Sequence, residues 1–156
     1  MRRINTITGV ISTVIGGTGV CVSDGDSEVI GSASLASVNA PAGLYGDSNR
    51  ILYIVENVGN RIRKLDLKYE NVTTINSVTL GNLPLAGPTF ITGDIEHIYV
   101  SDTSNHMIKR IHKITNVVDI YVGIGAAGFT GDFGPATSAR LNQPRGIQMH
   151  SSGVLY

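Results

Sequence analysis

The sequence predicts an all-β protein built from short four-stranded sheets that recur along the chain. Three observations carry that reading: composition, internal repetition, and the spacing of apolar stretches. The chain has 156 residues, of which 42% are hydrophobic and only 15% charged, with 19 glycines and no tryptophan. Ile and Val dominate the apolar set, and β-branched residues mixed with glycine favour strands and tight turns over helices. Twelve basic residues balance twelve acidic ones, so bulk charge gives no pull toward nucleic acid or an anionic membrane. A single cysteine, Cys21, excludes an internal disulfide framework and a cysteine-based zinc site. The longest purely apolar run, Ile51-Leu52-Tyr53-Ile54-Val55, is far too short for a membrane-spanning helix.

The repeat defines each element in turn. Pro41-Ala42-Gly43-Leu44 matches Pro144-Arg145-Gly146-Ile147, and the same offset carries Ile51-Leu52-Tyr53 onto Val154-Leu155-Tyr156. A middle copy starts at Pro88. The stretch from Tyr53 to Leu65 matches that from Tyr99 to Ile111, with Ile62, Arg63, Lys64 and Leu65 on Ile108, Lys109, Arg110 and Ile111. A third match ties the start to the end: Ile4, Ile7, Thr8, Val10, Ile11, Val14 and Gly16 fall on Ile111, Ile114, Thr115, Val117, Val118, Tyr121 and Gly123. The N-terminal apolar segment is therefore a repeat element and not a targeting signal, and Asn5, Thr6, Thr8, Ser12 and Thr13 interrupt it too often for a signal core.

Each unit of about 46 to 57 residues holds four apolar stretches separated by turn residues. The first follows Pro41, Pro88 or Pro144. The second ends near Tyr53 and Glu56, or Tyr99 and Asp102. The third is basic, at 61–65 and 107–111. The fourth lies at 10–15, 72–78 and 117–122. Four strands at this spacing suit one blade of a β-propeller. A lone blade cannot cover both of its faces; stacking blades around an axis covers each with the next.

Three stretches resemble the NHL-repeat β-propeller family: the 131–147 segment Gly-Asp-Phe-Gly-Pro-Ala-Thr-Ser-Ala-Arg-Leu-Asn-Gln-Pro-Arg-Gly-Ile, the 101–111 segment Ser-Asp-Thr-Ser-Asn-His-Met-Ile-Lys-Arg-Ile, and the 9–19 segment Gly-Val-Ile-Ser-Thr-Val-Ile-Gly-Gly-Thr-Gly. The resemblance covers nearly the whole chain. It departs from the family pattern at Phe133 and Phe90, where glycine is usual, at Glu56, where aspartate is usual, and at His150, which replaces the Asp47 and Asp94 of the other copies. It implies an NHL-type propeller with two complete blades and one split between the termini. Residues 1–40 end one blade and connect onward, 41–78 and 79–122 form blades, and 123–156 supply a loop and a first half-blade. About 12 strands result, three blades' worth, too few to close, since propellers take about four to eight. The expectation is a fragment of a longer propeller; the alternative is a head-to-tail homodimer in which each copy completes the other's split blade to give six.

Candidate chemistry is sparse. Gly123-Ile-Gly-Ala-Ala-Gly128 fits the spacing of a dinucleotide-binding turn, but Phe-Thr-Gly-Asp-Phe-Gly-Pro follows it, and such a site needs a helix to open there. A glycine-rich turn between blades is expected instead. Of His97, His106, His112 and His150, only His150, ending a first strand, is placed to face the axis, where some relatives of this resemblance hold zinc. Three converging ligands are needed for such a site, and none is expected. Asp47 and Asp94 end first strands and are read as turn residues, as are Asp24, Asp26 and Asp132 in glycine-rich loops. Arg61, Arg63, Lys64, Lys109 and Arg110 form a basic stripe on third strands, read as a solvated surface, with single-stranded RNA binding as a further option. No nucleophile elbow occurs, Cys21 has no histidine beside it in sequence, and Asn71-Val-Thr73 is a glycosylation sequon whose use requires export. The expected function is a non-catalytic scaffold, without cofactor or metal, that binds a protein or other ligand through loops at its faces. A propeller lyase or hydrolase with an axial site is the alternative.

Overall fold

The computed structural model describes residues 1–16, 33, 36–75 and 83–156. These contain ten strands and no α-helix, with 3-10 turns at Thr103–Asn105 and Ala136–Ser138. A two-stranded hairpin pairs β1 (Arg2–Ile4) with β2 (Ile11–Thr13). One four-stranded antiparallel sheet runs in chain order through β3 (Pro41–Gly46), β4 (Ile51–Glu56), β5 (Arg61–Asp66) and β6 (Asn71–Ile75). The second runs through β7 (Ile91–Gly93), β8 (His97–Asp102), β9 (Met107–His112) and β10 (Val118–Val122). These are two successive blades, and the preceding hairpin stands where a third and a fourth strand belong. The chain is a partial β-propeller.

The repeat fixes register as well as element order. Tyr53 faces Lys64 across β4 and β5, and Tyr99 faces Arg110 across β8 and β9. Turns repeat too. Between third and fourth strands, Asn5 Oδ1 accepts the N–H groups of Ile7 and Thr8. Asp66 Oδ1 does the same for Lys68 and Tyr69, and His112 Nδ1 for Ile114 and Thr115. A short side chain with an acceptor near its own backbone is all this turn needs.

Alternation along the strands divides the apolar residues between the two faces of each blade. Tyr53, Val55, Ile62 and Ile75 face forward and share one core with Ile91, Ile98, Val100 and Ile111 of the second blade. Ile54, Leu65 and Val72 face backward and pack with Ile15, Ala36 and, at its edge, Met1 of the N-terminal hairpin. The first strands come closest. A Cβ built on Gly43 would lie 2.8 Å from the Thr89 carbonyl oxygen and 3.0 Å from the Phe90 Cα, so only glycine lets β3 approach β7 this closely.

The glycine-rich segment after β10 opens no α-helix. Its N–H groups at Gly123, Ile124 and Gly128 donate to the carbonyls of Ala136, Ala139 and Leu141, which folds the loop back on itself. The first and second strands expected within residues 144–156 are reduced to one bridge, Met149 with Leu155, flanked by reciprocal backbone bonds between Gln148 and Tyr156. Four expectations lie outside the described residues: Cys21, Asp24 and Asp26, and the 76–78 end of a fourth stretch.

Candidate axial site

β3 and β7, both first strands, end beside the bridge residue Met149, and the residue just past each of the three is Asp47, Asp94 or His150. Between these ends opens a cavity of about 510 Å3, lined among others by Tyr45, Ile95 and Met149. It sits where the strands of a propeller converge on the axis.

Each of the three equivalent residues anchors its own turn. Asp47 Oδ1 accepts the N–H of Asn49 at 2.9 Å and of Ile51 at 3.0 Å. Asp94 Oδ1 accepts those of Glu96 at 2.9 Å and His97 at 2.7 Å, while its Oδ2 accepts the Tyr99 hydroxyl at 2.8 Å. His150 Nδ1 accepts the Ser152 N–H at 3.1 Å and lies 2.7 Å from the Ser152 hydroxyl. The histidine thus takes over the aspartate's structural role, and replacing Asp by His changes what the rim presents without changing the turn.

Electrostatics follow from these bonds. Burial alone would raise the Asp94 carboxyl, but the His97 and Glu96 N–H groups and the Tyr99 hydroxyl bond its ionised form, and its pKa moves below the ordinary value. Burial, with the Asp94 charge beside it, raises the Tyr99 hydroxyl. Burial, with Asp47 and Tyr45 near, pushes Tyr53 up to about 12.

Lys113, not anticipated as a site residue, ties two blades together at this end. Its Nζ donates to the Asp94 carbonyl at 2.6 Å, lies 3.5 Å from Asp47 Oδ2, and sits 5.2 Å from the centre of the Tyr45 ring. Its equivalents in the repeat are Leu67 and Thr6, so the signal for it is a break in the repeat. Tyr45 in turn covers Gly93, where a Cβ would meet its ring at 2.6 Å.

The basic residues of the third strands do not form the expected solvated stripe. Successive residues point to opposite faces, and the backward-facing ones are buried. Arg63 is fully buried, donating to the Ser37 carbonyl at 3.0 Å and lying 3.5 Å from Glu56 Oε1. Lys109 contacts Asp102 Oδ2 at 2.6 Å and donates to the carbonyls of Pro84 at 2.6 Å and Leu83 at 3.3 Å. Asp102 also accepts the Ala86 N–H and the Asn105 amide, each at 2.7 Å. In both blades a buried acid and base clasp the segment that leads into the first strand. Arg110, pointing the other way, holds exposed Asp119 at 3.0 Å. Arg61 bonds Glu56 at 2.5 Å, and Lys64 donates to the Lys113 carbonyl at 3.4 Å.

The histidines are spread apart. His97 and His112 meet edge-on across β8 and β9 with ring centres 5.3 Å apart. His106, in the left-handed region at φ 56°, accepts the Gln143 N–H at 3.0 Å. Among the described residues no three His, Cys, Asp or Glu side chains converge in a way that could hold a metal ion. Asp132 is exposed in the loop after β10. No helix among the described residues is long and apolar enough to cross a membrane.

No family model matches the sequence. A stretch of 59 residues is 36% identical to the protein SUPPRESSOR OF QUENCHING 1, chloroplastic, of Arabidopsis thaliana, covering 38% of this chain and 5% of that one. Among solved structures, the chain is similar to an auxiliary nutrient binding protein from Bacteroides thetaiotaomicron, with TM-score 0.64 and 17% identity over 97% of this chain and 38% of that chain. It is similar to virginiamycin B lyase from Staphylococcus aureus, with TM-score 0.56 and 22% identity over 99% of this chain and 40% of that chain. It is also similar to a chain of a nidogen/laminin complex, with TM-score 0.56 and 19% identity over 76% of this chain and 39% of that chain. The chain therefore spans well under half the length of each of these proteins. At these identities the structural likeness is one of fold, the β-propeller.

Proposed function

We propose that this chain is a binding propeller of the NHL type, a rigid scaffold whose loops at the axial end hold a ligand or a protein partner. The division suggested by the repeat belongs to this reading: residues 1–40 close one blade, 41–78 and 79–122 form blades, and 123–156 open another. The observation that carries the proposal is the cavity between the three strand ends. It combines apolar groups, Ile95 and Met149, with Tyr45 and the polar rim of Asp47, Asp94 and His150, the mixture that small-ligand sites use. The likeness to a nutrient binding protein supports binding as the activity. The rim carboxylates serve turns, the Tyr99 hydroxyl or the Lys113 tie, and His150 uses its Nδ1 for its own turn.

A panel of oligosaccharides and short peptides, titrated into isotopically labelled protein, tests this. Binding that perturbs the amides of residues 45–48, 93–95 and 149–153, and that is lost in an Ile95→Glu/His150→Ala variant, supports the reading. Binding that maps to the outer strands β6 and β10, or that survives the double substitution, contradicts it.

A further inference from the structure

We propose that the cleft between the two complete blades is a second ligand site, built for an α-amino acid with an apolar side chain. The inference is independent of what the axial cavity binds. The cleft holds about 290 Å3, near the lower bound of small-molecule sites at roughly 300–1,000 Å3. Its walls come from β4, β5 and the β3–β4 turn of one blade, and from the β7–β8 and β9–β10 turns of the other.

Three polar groups in these walls break the repeat, and each is left without a partner. On third strands, Arg110 holds Asp119, directly opposite, at 3.0 Å, and Arg3 donates to Ser12, directly opposite, at 2.9 Å. Their equivalent Lys64 faces Thr73. Its Nζ donates to the Lys113 carbonyl at 3.4 Å and has no carboxylate partner among the described residues. On second strands, Tyr99 donates its hydroxyl proton to Asp94 Oδ2. The equivalent Tyr53 is 1% exposed, and its hydroxyl has no hydrogen-bond partner among the described residues. The oxygen that would take its proton, Asp47 Oδ2, lies beside Lys113 Nζ instead. Glu96 stands where the other copies have Asn49 and Ser152. Its carboxylate is exposed and forms no ion pair among the described residues.

Asp47 and Lys113 neutralise each other at 3.5 Å. One cation, one anion and one hydroxyl donor remain. A ligand carboxylate takes the Lys64 ammonium and the Tyr53 hydroxyl, and a ligand ammonium takes Glu96. His112 spends its Nδ1 on the Ile114 and Thr115 N–H groups, so its neutral ring carries hydrogen on Nε2, a further donor. A ligand with a negative charge alone would meet Glu96, and one with a positive charge alone would meet Lys64; like charges set together are costly. The apolar part of the ligand has its own contacts. Ile51 is half-buried, while Ile95 and Ile114 are 91% and 85% exposed at the cleft. Ile95 replaces the Ser48 and Ser151 of the other copies. Covering these isoleucines with an aliphatic side chain removes apolar surface from water.

Calorimetric titration of the purified chain compares leucine with isoamylamine, which lacks its carboxylate, and isocaproate, which lacks its amine. Leucine is expected to bind saturably, and each analogue at least about tenfold more weakly. Amide shifts in labelled protein are expected at 49–53 and 112–114. Lys64→Gln removes the preference over isoamylamine, and Glu96→Gln the preference over isocaproate, with folding followed by circular dichroism. His150→Ala, which alters only the axial rim, changes neither preference. Absence of saturable leucine binding overturns the inference, as does equal binding of leucine and either analogue. So does a preference that survives its matching substitution, or shifts confined to 149–153. Failure of every oligosaccharide and peptide at the axial cavity would leave this result untouched.

Discussion

Two sets of polar residues recur from blade to blade, and they obey different rules. Inside the blades, Glu56 lies with Arg63 and Asp102 with Lys109, each pair buried and each clasping the segment that leads into its sheet. At the axial rim, Asp47, Asp94 and His150 stand at equivalent positions, and each anchors a turn through one acceptor atom. The inner set varies only in matched pairs, the longer acid lying with arginine and the shorter with lysine, because a buried charge without its partner is costly. The rim tolerates an imidazole for a carboxylate, because the turn asks only for an acceptor near the backbone. The fold constrains the first set and leaves the chemistry facing the cavity free to serve a ligand.

Substitutions can break that contrast. Lys109→Ala strands the Asp102 carboxylate in the interior and is expected to cost about 3–5 kcal/mol, read by chemical denaturation. Removing the exposed partner next door, Asp119→Ala, costs at most about 1 kcal/mol. Gly43→Val drives a side chain into the Thr89 carbonyl and is expected to cost at least about 1–3 kcal/mol, while Gly146→Ala, where a Cβ meets nothing within 4 Å, leaves stability nearly unchanged. At the rim, Asp94→Ala loses roughly 1 kcal/mol of turn hydrogen bonding, and His150→Asp is expected to be close to neutral.

Titration sharpens the same comparison. The Asp94 pKa is lower folded than unfolded, so its contribution is full above the ordinary value of 3.8 and is lost as pH falls through the folded value. Asp94→Asn removes that part of the acid transition. Tyr53 behaves oppositely. Its pKa rises from 10.0 to about 12 on folding, so the stability it adds is complete below pH 10 and disappears as pH climbs through 12. Spectroscopic titration of phenolate formation should show a late class of tyrosines that Tyr53→Phe diminishes.

Much of the architecture was legible because repetition multiplies weak signals. Tyr53 with Glu56 and Tyr99 with Asp102 marked second strands, and Pro41 and Pro88 marked the approach to first ones. The turn role of Asp47 and Asp94 was readable from residue type. The basic stripe misled, because Arg63 and Lys109 look like surface residues until the buried acids opposite them are placed. Those acids lie seven residues earlier in both blades, and that shared spacing was the available clue. Lys113 showed only as a break in the repeat and Tyr45 gave no local signal; the rim acquires them when the two sheets are stacked. Residues 144–156 pair through a single bridge, Met149 with Leu155, where two strands were expected.

Rigid display requires the two complete blades to behave as one frame, joined by the core that runs from Tyr53 and Ile62 to Ile98 and Ile111. Amide hydrogen exchange on an Ile62→Ala variant tests this directly. The account predicts that protection falls in β4, β5, β8 and β9 together, by the same roughly 2–5 kcal/mol. Loss confined to β4 and β5, with β8 and β9 unchanged, would show two independent sheets and contradict it.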